Sequence, residues 1–190
     1  MEAFLVSTGV VALGEIGDKT QLLALMLAAR FRRPVPVILG ILVATLLNHG
    51  LAGALGTVVR DLLGPELLRW VLGASFIAVG LWALVPDKMD DDEAEPRGQW
   101  GVFGVTVATF FLAEIGDKTQ IATVMLAARF HDLVAVVSGT TLGMLIADVP
   151  AVILGRLASP KLPLKWIRLA AAVVFVALGA GVLLGLGSAA

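Results

Sequence analysis

The sequence predicts an all-α membrane protein with six transmembrane helices arranged as two inverted three-helix repeats. Three observations predict this. Hydrophobic residues make up 58% of the 190 residues and charged residues 15%, with a mean hydropathy of +0.95; a soluble domain holds about 45–50% and about 25%. Six apolar stretches follow one another with short interruptions, and a helix needs about 20 such residues to cross a bilayer. A polar heptapeptide occurs twice, 99 residues apart. The composition also excludes other classes. A net charge of −1 offers no basic surface for nucleic acid. The absence of cysteine excludes disulfides, thiol catalysis and zinc–thiolate sites, and two histidines are too few for a His-rich metal site.

The spans are expected at 4–29, 35–59, 67–86, 101–128, 133–157 and 165–187. The opening MEAFLVSTGVVALGE has no basic leader and no small-residue cleavage site, so it is expected to be the first span, retained. The connection after it carries Arg30, Arg32 and Arg33. The one after the third span carries Lys88 and Arg97, and the one after the fifth Arg156, Lys161, Lys165 and Arg168. Those nine cations face three on the other side: Arg60, Arg69 and Arg129. The positive-inside rule places the odd-numbered connections in the cytoplasm and both termini outside. Trp70, Trp82, Trp100 and Trp166 lie near span ends, as an aromatic belt requires.

The repeat is explicit. Glu15-Ile-Gly-Asp-Lys-Thr-Gln21 returns as Glu114-Ile-Gly-Asp-Lys-Thr-Gln120, and Met26-Leu-Ala-Ala-Arg-Phe31 as Met125-Leu-Ala-Ala-Arg-Phe130. The offset continues without a gap to Gly40/Gly139, Phe76/Phe175 and Gly80/Gly179. Residues 1–86 then form one repeat, 87–100 an acidic cytoplasmic linker, and 101–190 the second repeat. Three spans per half force the second half to enter from the opposite side, a design that builds transporters around a site near the midplane.

Glu15 and Glu114 each fall near mid-depth of their spans. Asp18 and Asp117 follow at i+3 and so share a helix face with their glutamates, with Lys19 and Lys118 at i+4 near that face. An intramembrane charge costs roughly 2.5–3.5 kcal/mol on insertion scales, and its default reading is an ion or proton pathway. Four carboxylates, with neutral oxygens on Thr20, Gln21, Thr119 and Gln120, form a hard donor set suited to Ca²⁺, Mg²⁺ or Mn²⁺. With Lys19 and Lys118 as charge-balancing partners the set sums to −2, which one divalent cation cancels. Crowding and a low dielectric favour protonated carboxyls once the metal leaves, a basis for metal–proton exchange. Gly17 and Gly116 have two readings: close helix approach, or a local weakening that frees backbone carbonyls. Asn48 and His49 on the second span and Asp148 on the fifth, with His49 matching Asp148 at the 99 offset, are read as additional ligands, proton relays or interhelical contacts. The run Asp90-Asp-Asp-Glu93 reads as a solvated linker, or as a funnel for cations.

The paired E-x-G-D-K-T motifs resemble the tandem E-x-G-D-[KR]-[ST] family of divalent cation/proton exchangers, a branch of the Ca²⁺:cation antiporter superfamily with Golgi, plastid and bacterial members. The resemblance spans essentially the whole chain. It implies Mn²⁺ or Ca²⁺ translocation in exchange for H⁺, with Glu15, Asp18, Glu114 and Asp117 binding the ion. It implies no permanently bound cofactor, since the metal is cargo, and no enzymatic role. Without an extension before the first span, the chain is expected to resemble the bacterial members and to reside in a bacterial inner membrane. Mn²⁺ export is the leading expectation. Ca²⁺/H⁺ exchange by the same architecture, or a cation channel, are the alternatives. An intramembrane aspartyl protease is disfavoured because position 15 is Glu where that Gly-x-Gly-Asp motif needs Gly. The oligomeric state is open: the pairs Gly139/Gly143 and Gly181/Gly185 suit packing within one protomer or between two.

Overall fold

A computed structural model describes residues 1–85, 101–154 and 164–185. The linker 87–100, with Trp100 and the acidic run, lies outside the described residues. Within them the chain is entirely helical, in eight helices: α1 (Glu2–Glu15), α2 (Lys19–Phe31), α3 (Pro34–Leu62), α4 (Pro65–Trp82), α5 (Val102–Glu114), α6 (Lys118–Arg129), α7 (Leu133–Leu154) and α8 (Leu164–Leu183). Two of these, α3 and α7, are long and apolar enough by themselves to cross a membrane. At a 1.5 Å rise, their 29 and 22 residues extend about 44 and 33 Å.

The stretches expected as first and fourth spans are not single helices. Each breaks at its Ile-Gly-Asp, between α1 and α2 and between α5 and α6. The cause is local. Gly17 and Gly116 adopt φ of +84° and +79°, a region open to glycine at no steric cost and inside no right-handed helix. A Cβ at Gly116 would meet nothing within 4 Å. At that position the glycine therefore serves backbone conformation, and close helix approach is not its role. Glu15 is consequently the last residue of α1 and Asp18 the N-cap of α2, so the shared-helix-face argument does not hold. The two carboxylates come together across a turn.

Elsewhere sequence chemistry sets the ends directly. Pro34 and Pro65 stand in the first turns of α3 and α4, where a missing N–H costs nothing. Trp82 ends α4, Trp70 lies in the second turn of α4 and Trp166 in the first turn of α8, all three partly exposed.

The helices interlock across the two halves. α1 and α2 pack on α7, α5 and α6 pack on α3, and α4 packs on α8. Small residues make these approaches possible. A Cβ at Gly139 would stand 2.5 Å from the Phe4 carbonyl oxygen and 3.0 Å from Ser7 Cβ; one at Gly40 would stand 3.1 Å from the Phe103 carbonyl oxygen and 2.6 Å from Thr106 Cβ. Phe4 and Phe103, and Ser7 and Thr106, are themselves 99 positions apart. The same contact is thus made twice with the halves exchanged. Gly143 likewise packs on the Thr8 carbonyl of the same chain, whereas Gly181 has no such neighbour. Phe76 and Phe175 meet at the α4–α8 contact with ring centroids 6.5 Å apart.

Candidate metal centre

The two breaks bring the acidic side chains together. Glu15, Asp18, Glu114, Asp117 and Asp148 are all buried. One carboxylate oxygen each from Glu15, Glu114 and Asp117 lies within 4.8 Å of the other two. Glu15 comes from one half and the other two from the second half.

Each threonine of the repeated motif ties its own two acids. Thr20 donates to Glu15 Oε1, with Asp18 Oδ2 at 3.4 Å; Thr119 donates to Glu114 Oε2 at 3.1 Å, with Asp117 Oδ2 at 3.3 Å. The second oxygens, Glu15 Oε2 and Glu114 Oε1, are buried and find no hydrogen-bond partner among the described residues. Buried acceptors left this way are costly unless something positive meets them. Three converging carboxylates, two of them with an orphaned oxygen, fit a hard divalent cation.

The helix ends reinforce the arrangement. α2 and α6 begin at the site, with the partial positive charge of their N-termini directed at the acids; α1 and α5 end there, offering last-turn carbonyls.

The glutamines are spoken for. Gln21 Oε1 accepts from the Gly17 N–H at 2.9 Å, and Gln120 Oε1 from the Gly116 N–H at 2.8 Å. Their amide nitrogens reach into the opposite half, Gln21 to the Ala147 carbonyl at 2.9 Å and Gln120 to Asn48 Oδ1 at 3.3 Å. Positions 48 and 147 are again 99 apart. Asn48 completes the chain by donating to the Phe111 carbonyl at 3.0 Å. These residues act as clamps on the breaks, and the sequence signal for that role is the glycine two positions after each glutamate.

Other expected residues divide. Asp148 lies close enough to repel Glu15, Glu114 and Asp18, and neither of its oxygens has a hydrogen-bond partner among the described residues. His49, its counterpart in the repeat, is also fully buried, with both ring nitrogens unpartnered among the described residues. Lys118 is buried and forms an ion pair with Asp18 of the other half; Lys19 is half-buried.

The chain is similar to known proteins over nearly its whole length. Residues 3–91 and 102–188 both match the family model described as divalent cation/proton antiporter GDT1. A Vibrio cholerae protein named "Putative manganese exporter" is 50% identical over 93% of this chain and 88% of its own length. A GDT1-like protein of Synechocystis is 30% identical over 92% of the chain and 93% of its own, and GDT1-like protein 5 of Arabidopsis thaliana is 26% identical over 94% of each. No solved structure matches. The chain therefore belongs to the GDT1 family of divalent cation/proton antiporters, membrane transporters of divalent cations and not enzymes.

Proposed function

We propose that the chain exports Mn²⁺ from the cytoplasm in exchange for H⁺ by alternating access to one central site. The observation that carries this reading is the buried meeting of Glu15 with Glu114 and Asp117, acids from both halves with oxygens left unpaired. Manganese is favoured over calcium by the name of the Vibrio relative, at half identity. The reading takes α1–α2 and α5–α6 as two broken spans, so that the chain crosses six times in two inverted repeats, 1–86 and 101–190. Both termini lie outside a bacterial inner membrane.

Glu15, Asp18, Glu114 and Asp117 hold the ion, with Asp148 and the motif threonines around them. Broken helices that present carbonyls and helix termini to an ion at the midplane are a recurrent transporter design. A site bridged by both halves can open to either side when one half rocks against the other. Once the metal leaves, several carboxylates remain in a low dielectric, and protons returning on the same groups neutralise them.

Purified protein in proteoliposomes tests this with a metal panel and a lumenal pH dye. Mn²⁺ flux is expected to move the lumenal pH in the direction set by the gradient. Glu15→Gln is expected to abolish flux while the protein stays folded and inserted. Flux without a pH change points to a channel, wild-type flux in Glu15→Gln removes the site assignment, and preference for Ca²⁺ in the panel replaces manganese as cargo.

A further inference from the structure

The four motif carboxylates are not equivalent, although the two heptapeptides are identical. Three form the cluster; Asp18 is held apart. Asp117 caps its own helix, accepting from the Thr119 N–H at 3.3 Å, whereas Asp18, the N-cap of α2, makes no such bond with its side chain. Asp18 instead pairs with Lys118 Nζ from the opposite half, both side chains being buried. Both residues also line a pocket bounded by Gly17 at the first break, Ala83 just past α4, and Arg168 on α8. On the proposed topology those ends of α4 and α8 face the cytoplasm. An ion entering from that side therefore meets the Asp18–Lys118 pair before the three-acid cluster.

We propose that Lys118 is a tethered cation that occupies Asp18 when no metal is present, and that incoming Mn²⁺ must displace it for the fourth carboxylate to join the site. The proposal rests on the reading of the carboxylate cluster as the transport site. An ammonium is a point charge on a flexible stem, able to leave one carboxylate without dismantling the helix that carries it. It satisfies Asp18 in the metal-free protein, where a lone buried charge is costly. It also competes with the cargo, so it lowers affinity to a level from which the ion can leave on the far side.

The test is Mn²⁺ binding by calorimetry on the full chain in nanodiscs at fixed pH, with turnover measured in proteoliposomes. Removing a competitor whose coupling is of ordinary size changes affinity by roughly five- to a hundredfold. Lys118→Gln is expected to bind Mn²⁺ at least about fivefold more tightly and to turn over more slowly. Lys118→Arg, which keeps the cation, is expected to stay near wild-type affinity. If Lys118→Gln fails to fold, Asp18→Asn and the double variant Asp18→Asn/Lys118→Gln carry the comparison. With Asp18 neutral the ammonium has no carboxylate to occupy, so the double variant is expected to bind Mn²⁺ as Asp18→Asn does. Unchanged or weaker binding in Lys118→Gln, or a double variant markedly tighter than Asp18→Asn, overturns the latch. Glu15→Gln serves as control: loss of binding there keeps the site in place whatever Lys118 does, and wild-type binding removes the site and the latch together.

Discussion

Thr20 and Thr119 show how little is needed to orient a pair of buried acids. A hydroxyl has one proton to give. Thr119 directs it at Glu114 Oε2 with Asp117 Oδ2 close by, which leaves Glu114 Oε1 turned away from its own helix and unpartnered. Valine has the same shape and no donor. Hydrogen bonds to charged groups contribute about 1.5–3 kcal/mol, and about 1.4 kcal/mol is a factor of ten in an equilibrium. Thr119→Val is expected to raise the KM for Mn²⁺ uptake about tenfold, and Thr119→Ser to restore it. Equal losses in both variants would assign the residue's importance to its methyl group in packing. The residue types of this site were legible in the sequence, because charges at mid-span and hard oxygens admit few other uses. Their division into three and one was not. Asp18 and Asp117 sit in identical heptapeptides, and what separates them is the approach of Lys118 from the other half, a tertiary fact.

At the scale of the element, the breaks bring the acids of two helix pairs into one candidate ion site. Glycine inside a helix costs only about 1 kcal/mol, so Glu-Ile-Gly-Asp is compatible with a continuous span, and spacing alone could not decide. The decision comes from the positive φ of Gly17 and Gly116, sealed by the glutamine four residues on, whose oxygen takes the glycine N–H and whose nitrogen ties the break to the facing helix. Space is not limiting at Gly116, since an added Cβ would meet nothing within 4 Å. Any loss on substitution there must therefore follow backbone preference. Asparagine visits positive φ more readily than other side chains, and β-branched residues least. Gly116→Asn is expected to retain partial transport and Gly116→Val to lose it, with uptake rates in proteoliposomes as the measure. Equal activity in the two variants would show that the left-handed turn is dispensable. The sequence offers the glutamines as neutral oxygens beside four acids; in the fold both ends of each amide are occupied.

On the scale of the molecule, the repeat becomes a contact pattern. Gly139 presses on Phe4 and Ser7 of α1, and Gly40 on Phe103 and Thr106 of α5, the same pairing with the halves exchanged. Helices gain little from hydrophobicity inside a bilayer, so van der Waals contact at small residues carries much of their association. These glycines are therefore part of what fixes the two broken elements against their partners, and so part of what keeps Glu15 opposite Glu114. The proposed topology exchanges the halves by a two-fold axis lying in the membrane plane. Matched positions in the two repeats must face opposite sides. Arg32, after α2, and His131, after α6, are matched and both exposed. The chain contains no cysteine, so Arg32→Cys and His131→Cys each introduce a single reporter thiol without a background. In intact cells a membrane-impermeant thiol reagent is expected to label His131→Cys and to reach Arg32→Cys only after the membrane is opened. Both cysteines labelled from one side would mean parallel repeats. The two acidic motifs would then enter the membrane in the same sense, and alternating access by exchange of the halves would have no structural basis.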